Sequence, residues 1–286
     1  MVRPSRAARF RIRARRSPCL ALLLAALAGT VALAPAEREA AAQSRSRRAW
    51  LGVELDKAPG GGVLAKHVIK TSPAAKAGML DGDVVLEADG VGVDEPKQLI
   101  ARVAIVGPDA PLKMRVRRGG SERLLSATLE PFPGPEKVLK LDKLNTFAPA
   151  WKVTPAAGNV PASVGALRGR VVVLDFWAGW CGPCRMMSPT LSQWQQQYGA
   201  QGLTVLGFTT DPVPAAAQGA AALSMRYAVA SDQAEATSQA YGVMSLPTLF
   251  VIDKRGVIRS IDIGFDPGQN KETERMITAL LAEPAP

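Results

Sequence analysis

Apolar positions recur along this chain in two different rhythms. From about Ala49 to Glu130 they come in short runs cut by glycines: Leu51 to Leu55, Gly62 to Val68, Asp83 to Ala88, and a pair from Leu112 to Leu129 turning at Gly119-Gly120. Runs of that length between turn residues predict β-strands. Two short helices interrupt them. Ser72-Pro73 sets a capping side chain before a proline at the first helical position, with Gly78 as the stop, and Glu95-Pro96 opens a longer helix through Val103. A small, mainly-β unit is expected here.

Beyond Phe147 the runs lengthen and alternate with helical spacing. Val171-Val172-Val173-Leu174 and Leu203 to Phe208 predict buried strands, separated by a helix that starts at about Gly182 and sets Met187, Leu191, Trp194 and Tyr198 on one face. An Ala-rich stretch from Pro212 to Met225 is expected to be helical. A hairpin follows, Thr248 to Ile252 and Val257 to Ile263 turning at Lys254-Arg255-Gly256, and Lys271 to Leu281 closes the chain as an amphipathic helix. Strands and helices alternating around one sheet predict an α/β domain. Between the two regions, residues 131–146 open with Pro131-Phe132-Pro133-Gly134-Pro135, which cannot continue a central strand and reads as a semi-rigid linker.

The 286 residues allow about two ordinary domains and an appendage. The appendage comes first: residues 1–16 carry seven arginines and no acid, and Cys19 to Leu33 is an apolar Leu/Ala-rich run bounded by small residues. That is the layout of a secretory signal peptide and too short for a membrane span. Small-x-small cleavage sites follow Ala36 and Ala42, the latter favoured, and Arg15-Arg16 fits a twin-arginine route less well than general export. An uncleaved leader would instead anchor the protein to a membrane. The expected organisation is a leader at 1–42, a first domain at 49–130, a linker at 131–146 and a second domain at 147–284, in an exported, periplasmic or otherwise extracytoplasmic protein.

Export changes how charge and cysteines are read. The formal balance of +10 includes eight arginines and two glutamates before Gln43, leaving 27 basic and 23 acidic residues in the mature chain, or +4. With no basic stripe interleaved with aromatics, nucleic acid is not an expected partner. Of three cysteines, only Cys181 and Cys184 would remain, and an exported protein without structural disulfides can present a dithiol without internal shuffling.

Those two cysteines carry the chemistry. Cys181 is expected just before the helix, where unpaired backbone amides and the positive dipole end stabilise a thiolate and bring its pKa toward ambient pH. Cys184, one turn on, can close a small disulfide after Cys181 has attacked a substrate. Pro183 at an early helical position loses only an amide that had no intrahelical partner. Asp175 ends the apolar run inside a strand expected to be buried on both faces. Its pKa should be raised, and it is a candidate to take the Cys184 proton directly or through a water. A four-ligand zinc site is disfavoured because Cys19 and His67 are the only other soft ligands. His67, between Lys66 and Val68, reads as a partly exposed strand residue, and with no glycine-rich nucleophile turn a serine protease is disfavoured.

The stretch Asp175-Phe176-Trp177-Ala178-Gly179-Trp180-Cys181-Gly182-Pro183-Cys184-Arg185-Met186-Met187-Ser188-Pro189 resembles the active site of the thioredoxin superfamily. Ser245-Leu246-Pro247-Thr248 resembles the family's cis-proline loop. The resemblance, over roughly residues 146–284, implies an α/β thioredoxin-like fold, a cis peptide before Pro247 with adjacent backbone that pairs with substrate, and a helix kink at Pro189. It also implies a redox-active Cys181–Cys184 disulfide as the only redox group, an active-site motif of Trp180, Gly182 and Pro183, protein disulfides as substrates, and an electron donor the sequence does not identify. Gly182-Pro183 between the cysteines resembles reducing members, favouring reductase or isomerase over oxidase. A peroxiredoxin-type peroxidase would share the fold, but the residues around Cys181 form a dithiol motif. One departure stands out: thioredoxin has a lysine on the neighbouring strand beside its buried aspartate, and this chain has Gly207 there. Phe147-Ala148-Pro149-Ala150-Trp151 and Leu167-Arg168-Gly169-Arg170 resemble the exported, TlpA-like branch.

The first domain resembles a bacterial, HtrA-like PDZ domain, on Trp50-Leu51-Gly52-Val53, Ser72-Pro73-Ala74-Ala75-Lys76-Ala77-Gly78-Met79, Gly82-Asp83-Val84-Val85 and Asp89-Gly90. By that resemblance the amides of Leu51, Gly52 and Val53 would bind the carboxylate of a peptide or C-terminal tail. The peptide would add as a strand in a groove walled by the helix through Leu99 and Val103. Gly52 permits close backbone approach, and Arg47 or Arg48 nearby would favour an anion. Two alternatives stay open: a module that only spaces or docks the redox domain, and a peptide-binding adaptor whose dithiol is a redox sensor.

Overall fold

A computed structural model describes residues 48–286, so the expected leader lies outside the described residues. The first sheet runs in the order β2-β3-β4-β6-β7, from β2 (Val53–Lys57), β3 (Val63–Val68), β4 (Val84–Ala88), β6 (Pro111–Arg118) and β7 (Ser121–Thr128), with β5 (Val91–Gly92) paired to β4. Neighbours are antiparallel, and β2 is an edge. Gly119 and Gly120 both take positive φ, 54° and 84°, the two-residue turn whose twist suits the β6–β7 hairpin. A separate pair, β1 (Ala49–Trp50) with β8 (Glu130–Pro131), brings the start of this region to its end.

Helix α1 (Pro73–Lys76) is capped by the Ser72 hydroxyl, which accepts from the Ala75 amide at 3.2 Å. Helix α2 (Pro96–Val106) begins with a capping box, the Gln98 side chain accepting from the Glu95 amide at 2.8 Å, and it buries Leu99 and Val103 against the sheet. Buried Asp83 is held in a fork by Arg118, at 2.6 and 2.8 Å, and accepts from the Leu80 amide at 3.0 Å. A carboxylate without exposure is tolerated here because its lone pairs are matched.

The segment read as a linker contains a helix, α3 (Pro135–Lys143). Gly134, at φ 90°, turns the chain into it, and Leu139 is buried against the second core. The proline-rich opening does interrupt the strand, as its chemistry requires, but Pro135 then serves as a helix start.

The second sheet runs β14-β13-β10-β11-β12-β9. Its strands are β9 (Thr154–Ala157), β10 (Val171–Phe176), β11 (Leu203–Thr209), β12 (Ala228–Ser231), β13 (Thr248–Ile252) and β14 (Ile258–Ile263). The central β10, β11 and β12 are parallel, and β13, β14 and β9 are antiparallel to their neighbours. Every residue of β10 is buried, because both faces are covered. Val171 and Val173 face a core shared with α4 (Gly182–Tyr198), α5 (Val213–Ala222) and α7 (Pro267–Ala282). Val172, Leu174 and Phe176 face the other, shared with α3 and α6 (Ala236–Tyr241). There Phe176 meets Phe208, Tyr241 and Phe250 at centroid separations of 5.4 to 5.8 Å. Helix α4 continues through Pro189 to Tyr198, its buried side carrying Met187, Leu191, Trp194 and Tyr198. No helix among the described residues is long and apolar enough to cross a membrane.

Candidate active site at the start of helix α4

Because β10 is parallel to β11 and antiparallel to β13, the loop leaving β10 and the loop entering β13 emerge at the same end of the sheet, where Phe176 pairs with Thr248. The first loop carries Trp177 to Cys181 and the second carries Pro247. Asp211 pins the first by accepting from the Gly179 amide at 3.3 Å, and the Arg185 guanidinium donates to the Gly179 carbonyl at 3.1 Å. Sequence reasoning did not find Asp211, whose contact is made across the sheet end with no motif to mark it.

Cys181 is the N-cap of α4 and is joined to Cys184 by a disulfide, with Cα atoms 5.3 Å apart. Its Sγ accepts from the Cys184 amide at 3.2 Å. Both cysteines are almost wholly buried in this oxidised form, so position at the helix terminus, and not exposure, distinguishes them. The amides and dipole of α4 act on Cys181 Sγ, and the Pro183 nitrogen takes a place where no intrahelical donor is needed. Next to the pair in the chain, Trp180 is 76% exposed and Met186 54%.

The Leu246–Pro247 peptide is cis. The Pro247 carbonyl is used internally, accepting from the Gly264 amide at 2.8 Å, and Thr248 Oγ1 donates to the Ser245 carbonyl at 2.7 Å. The Leu246 amide and carbonyl have no hydrogen-bond partner among the described residues, so this half-buried residue offers one free backbone donor and acceptor.

Asp175, the residue before the last of β10, is 2% exposed, and burial pushes its pKa up to about 7 against the opposing effect of a hydrogen bond from Tyr227. The Tyr227 hydroxyl donates to Asp175 Oδ2 at 3.1 Å, while Oδ1 and the Trp177 indole Nε1 have no partner. Tyr227 was not legible as a site residue: it precedes the short strand β12, which hydrophobic patterning did not reveal. The only signal is indirect, since a glycine at 207 opposite a buried carboxyl leaves space that another side chain has to fill. Among the described residues no three His, Cys, Asp or Glu side chains gather as metal ligands.

Leu51 is buried in the first core and Val53 opens β2 against it, with Gly52 between them; the cysteines belong to the other core. Gly52 has φ 80°, and a Cβ there would lie 2.2 Å from Ser72 Cβ, so close approach excludes any side chain. The Leu51 and Gly52 carbonyls accept from Ala74 and Ile69 at 2.9 and 3.0 Å, whereas their amides have no partner among the described residues. β2, which follows, has a free edge.

His67 is partly exposed on β3, and it also ties that strand to α3: its Nε2 lies 2.5 Å from Asp142 and its Nδ1 3.4 Å from Asp81. Burial lowers its pKa, but the hydrogen bond and charge of Asp142, with a smaller share from Asp81, outweigh burial and leave it above 6.5. The stability this gives is fully present below the unfolded-state pKa and is lost as pH rises through the folded one. His67→Gln is therefore expected to flatten the pH dependence of thermal unfolding as pH rises above 6.5. A variant whose midpoint falls with pH as steeply as the parent's would show that the contact does not contribute.

Comparison with known proteins agrees with this geometry. Residues 144–261 match the AhpC/TSA family, and residues 49–129 match the PDZ domain. Thioredoxin of Alicyclobacillus acidocaldarius is 33% identical over 110 residues, covering 38% of this chain and 83% of that protein. The thiol-disulfide oxidoreductase ResA of Geobacillus kaustophilus is 32% identical over 122 residues, covering 42% and 70%. Protein DipZ of Mycobacterium bovis is 37% identical over 142 residues, 48% of this chain, but the match spans only 20% of DipZ. A cysteine pair at a helix start, the cis-proline loop at the same end of the sheet and two relatives covered over 83% and 70% of their length together make the chain a member of the thioredoxin-like thiol-disulfide oxidoreductases, with a PDZ domain on its N-terminal side.

Proposed function

We propose that this is an exported thiol-disulfide oxidoreductase that reduces or isomerises protein disulfides with the Cys181–Cys184 dithiol and recruits polypeptide partners through its PDZ domain. The proposed organisation is a leader at 1–42, the PDZ domain at 49–130, a connecting segment at 131–146 and the thioredoxin domain at 147–284. The observation that carries the redox reading is the disulfide at the N-terminus of α4, at the sheet end that also carries the cis Leu246–Pro247 peptide. In the reduced protein, Cys181 thiolate attacks one sulfur of a substrate disulfide. A mixed disulfide forms, and the other substrate sulfur leaves as thiolate. Cys184 then gives its proton to Asp175 and attacks Cys181 Sγ, closing the intramolecular disulfide and releasing the second substrate thiolate. Two electrons pass to the substrate, so a thiol reductant of dithiol type has to restore the protein.

The free backbone groups of Leu246 support pairing with an extended substrate chain beside Pro247. The unpartnered amides of Leu51 and Gly52 and the open edge of β2 support binding of a peptide carboxylate and strand. The direction of electron flow is tested by equilibrating the protein in dithiothreitol or glutathione buffers and trapping free thiols. A potential near that of thioredoxin, about −270 mV, is expected; a value near about −120 mV, that of a strong oxidant, would reverse the assignment.

A further inference from the structure

The β10–β11 register sets Asp175 directly opposite Gly207. A Cβ on Gly207 would lie 3.0 Å from Trp177 Nε1 and 3.1 Å from Tyr227 Cε2. The space that a side chain from β11 would use is thus taken by the Trp177 indole and by the Tyr227 ring, which enters from the residue before β12. Its hydroxyl bonds Asp175 Oδ2 at 3.1 Å. Ser188, buried on α4 one turn beyond Cys184, donates to the Leu223 carbonyl at 3.2 Å, and burial together with Asp175 raises the phenol pKa well above 10. Tyr227 therefore stays protonated and acts as a fixed donor.

We propose that Tyr227 is a positioning residue for the resolving step, its hydroxyl holding Oδ2 of Asp175 and favouring the carboxylate so that the unpaired Oδ1 is the atom that takes the Cys184 proton. This rests on the reading of Asp175 as proton acceptor. In the step, the Cys184 S–H proton passes to Oδ1, the sulfur electron pair forms the bond to Cys181 Sγ, and the bond from Cys181 to the substrate sulfur breaks with its electron pair on the substrate. The tyrosine keeps its own proton. The neighbours of Asp175 leave few alternatives. β11 presents Gly207 and β13 presents Leu249, neither titratable. No Lys, Arg or His among the described residues bears on the carboxyl, whose pKa reflects burial and Tyr227 alone. A donor to the ionised form is what a buried carboxylate without a cation needs if it is to ionise near neutral pH.

The test is single-turnover reaction of the reduced full chain with 5,5′-dithiobis(2-nitrobenzoate), in which the first thiolate released reports attack by Cys181 and the second reports resolution by Cys184. In the parent the second phase should rise with pH through about 7. Tyr227→Phe should move that inflection upward by about one pH unit, roughly a tenfold slower second phase on its acid side, with the first phase unchanged. Replacing the three tyrosines by 3-fluorotyrosine, a better donor, should move it downward, a change of sign that a packing defect would not produce. An inflection that neither replacement moves would overturn the proposal. Asp175→Asn should remove the inflection, and Tyr227→Phe should then add nothing. If Asp175→Asn leaves the profile intact, the Asp175 reading has failed; if it abolishes the inflection while the tyrosine replacements do nothing, only the role of Tyr227 has failed.

Discussion

Cys181→Ser is expected to lower disulfide reduction by at least about a thousandfold, whereas Cys184→Ser should keep the first attack and accumulate as a mixed disulfide with its substrate. The asymmetry follows from where each sulfur sits. Cys181 Sγ is at the N-cap of a 17-residue helix and already accepts an amide hydrogen bond at 3.2 Å, so its thiolate gains from backbone donors that have no other use. Cys184, inside the first turn, has no such set of donors and on the proposed mechanism gives its proton to Asp175. Non-reducing electrophoresis with mass spectrometry of the captured chains reads the result. Capture by Cys181→Ser and not by Cys184→Ser would reverse the order of attack. The same variants separate an enzyme from an adaptor, because a PDZ-based adaptor with a sensor dithiol would retain its partners in Cys181→Ser and would not need covalent capture.

What could be read from the sequence was local. The run Val171 to Leu174, the two-residue spacing of the cysteines, the Ser72-Pro73 cap and the Gly119-Gly120 turn each specify backbone geometry within a few residues, and the elements they predict are present. Features settled by distant contacts were not legible. Helix α3 hides behind five residues dominated by proline and glycine, and its one buried side chain, Leu139, is meaningful only because Gly242, about a hundred residues on, leaves room for it: a Cβ there would come within 3.0 Å of Leu139 Cδ1. Strands β9 and β12 have four residues each, mostly small, and carry too little periodicity to be distinguished from loop. Tyr227 depends on both difficulties at once, a strand without a signal and a vacancy at Gly207 that becomes visible only when β11 is aligned with β10.

Asp175→Asn should make the protein more stable at alkaline pH and less able to turn over. The carboxyl titrates at about 7 in the folded chain against an ordinary 3.8. Between those values the folded state holds a proton that the unfolded state has lost, so stability falls as pH rises through that interval, and above it the whole cost of the buried charge is present. At about 1.4 kcal/mol per pH unit this amounts to about 4 kcal/mol. Asparagine removes the charge and can still accept from Tyr227, but its amide group sits where Oδ1 had no partner, at a cost of about 1–2 kcal/mol. The net expectation is a gain of roughly 2–3 kcal/mol at about pH 8, or a melting point about 5–10 °C higher for the oxidised protein. Near pH 4 the parent carboxyl is protonated in the folded state and the advantage should vanish. Thermal unfolding of both proteins at the two pH values decides it: a difference that does not change with pH would mean that Asp175 does not titrate near 7. If Asp175 is the proton acceptor proposed above, loss of the second thiol release should accompany the gain in stability.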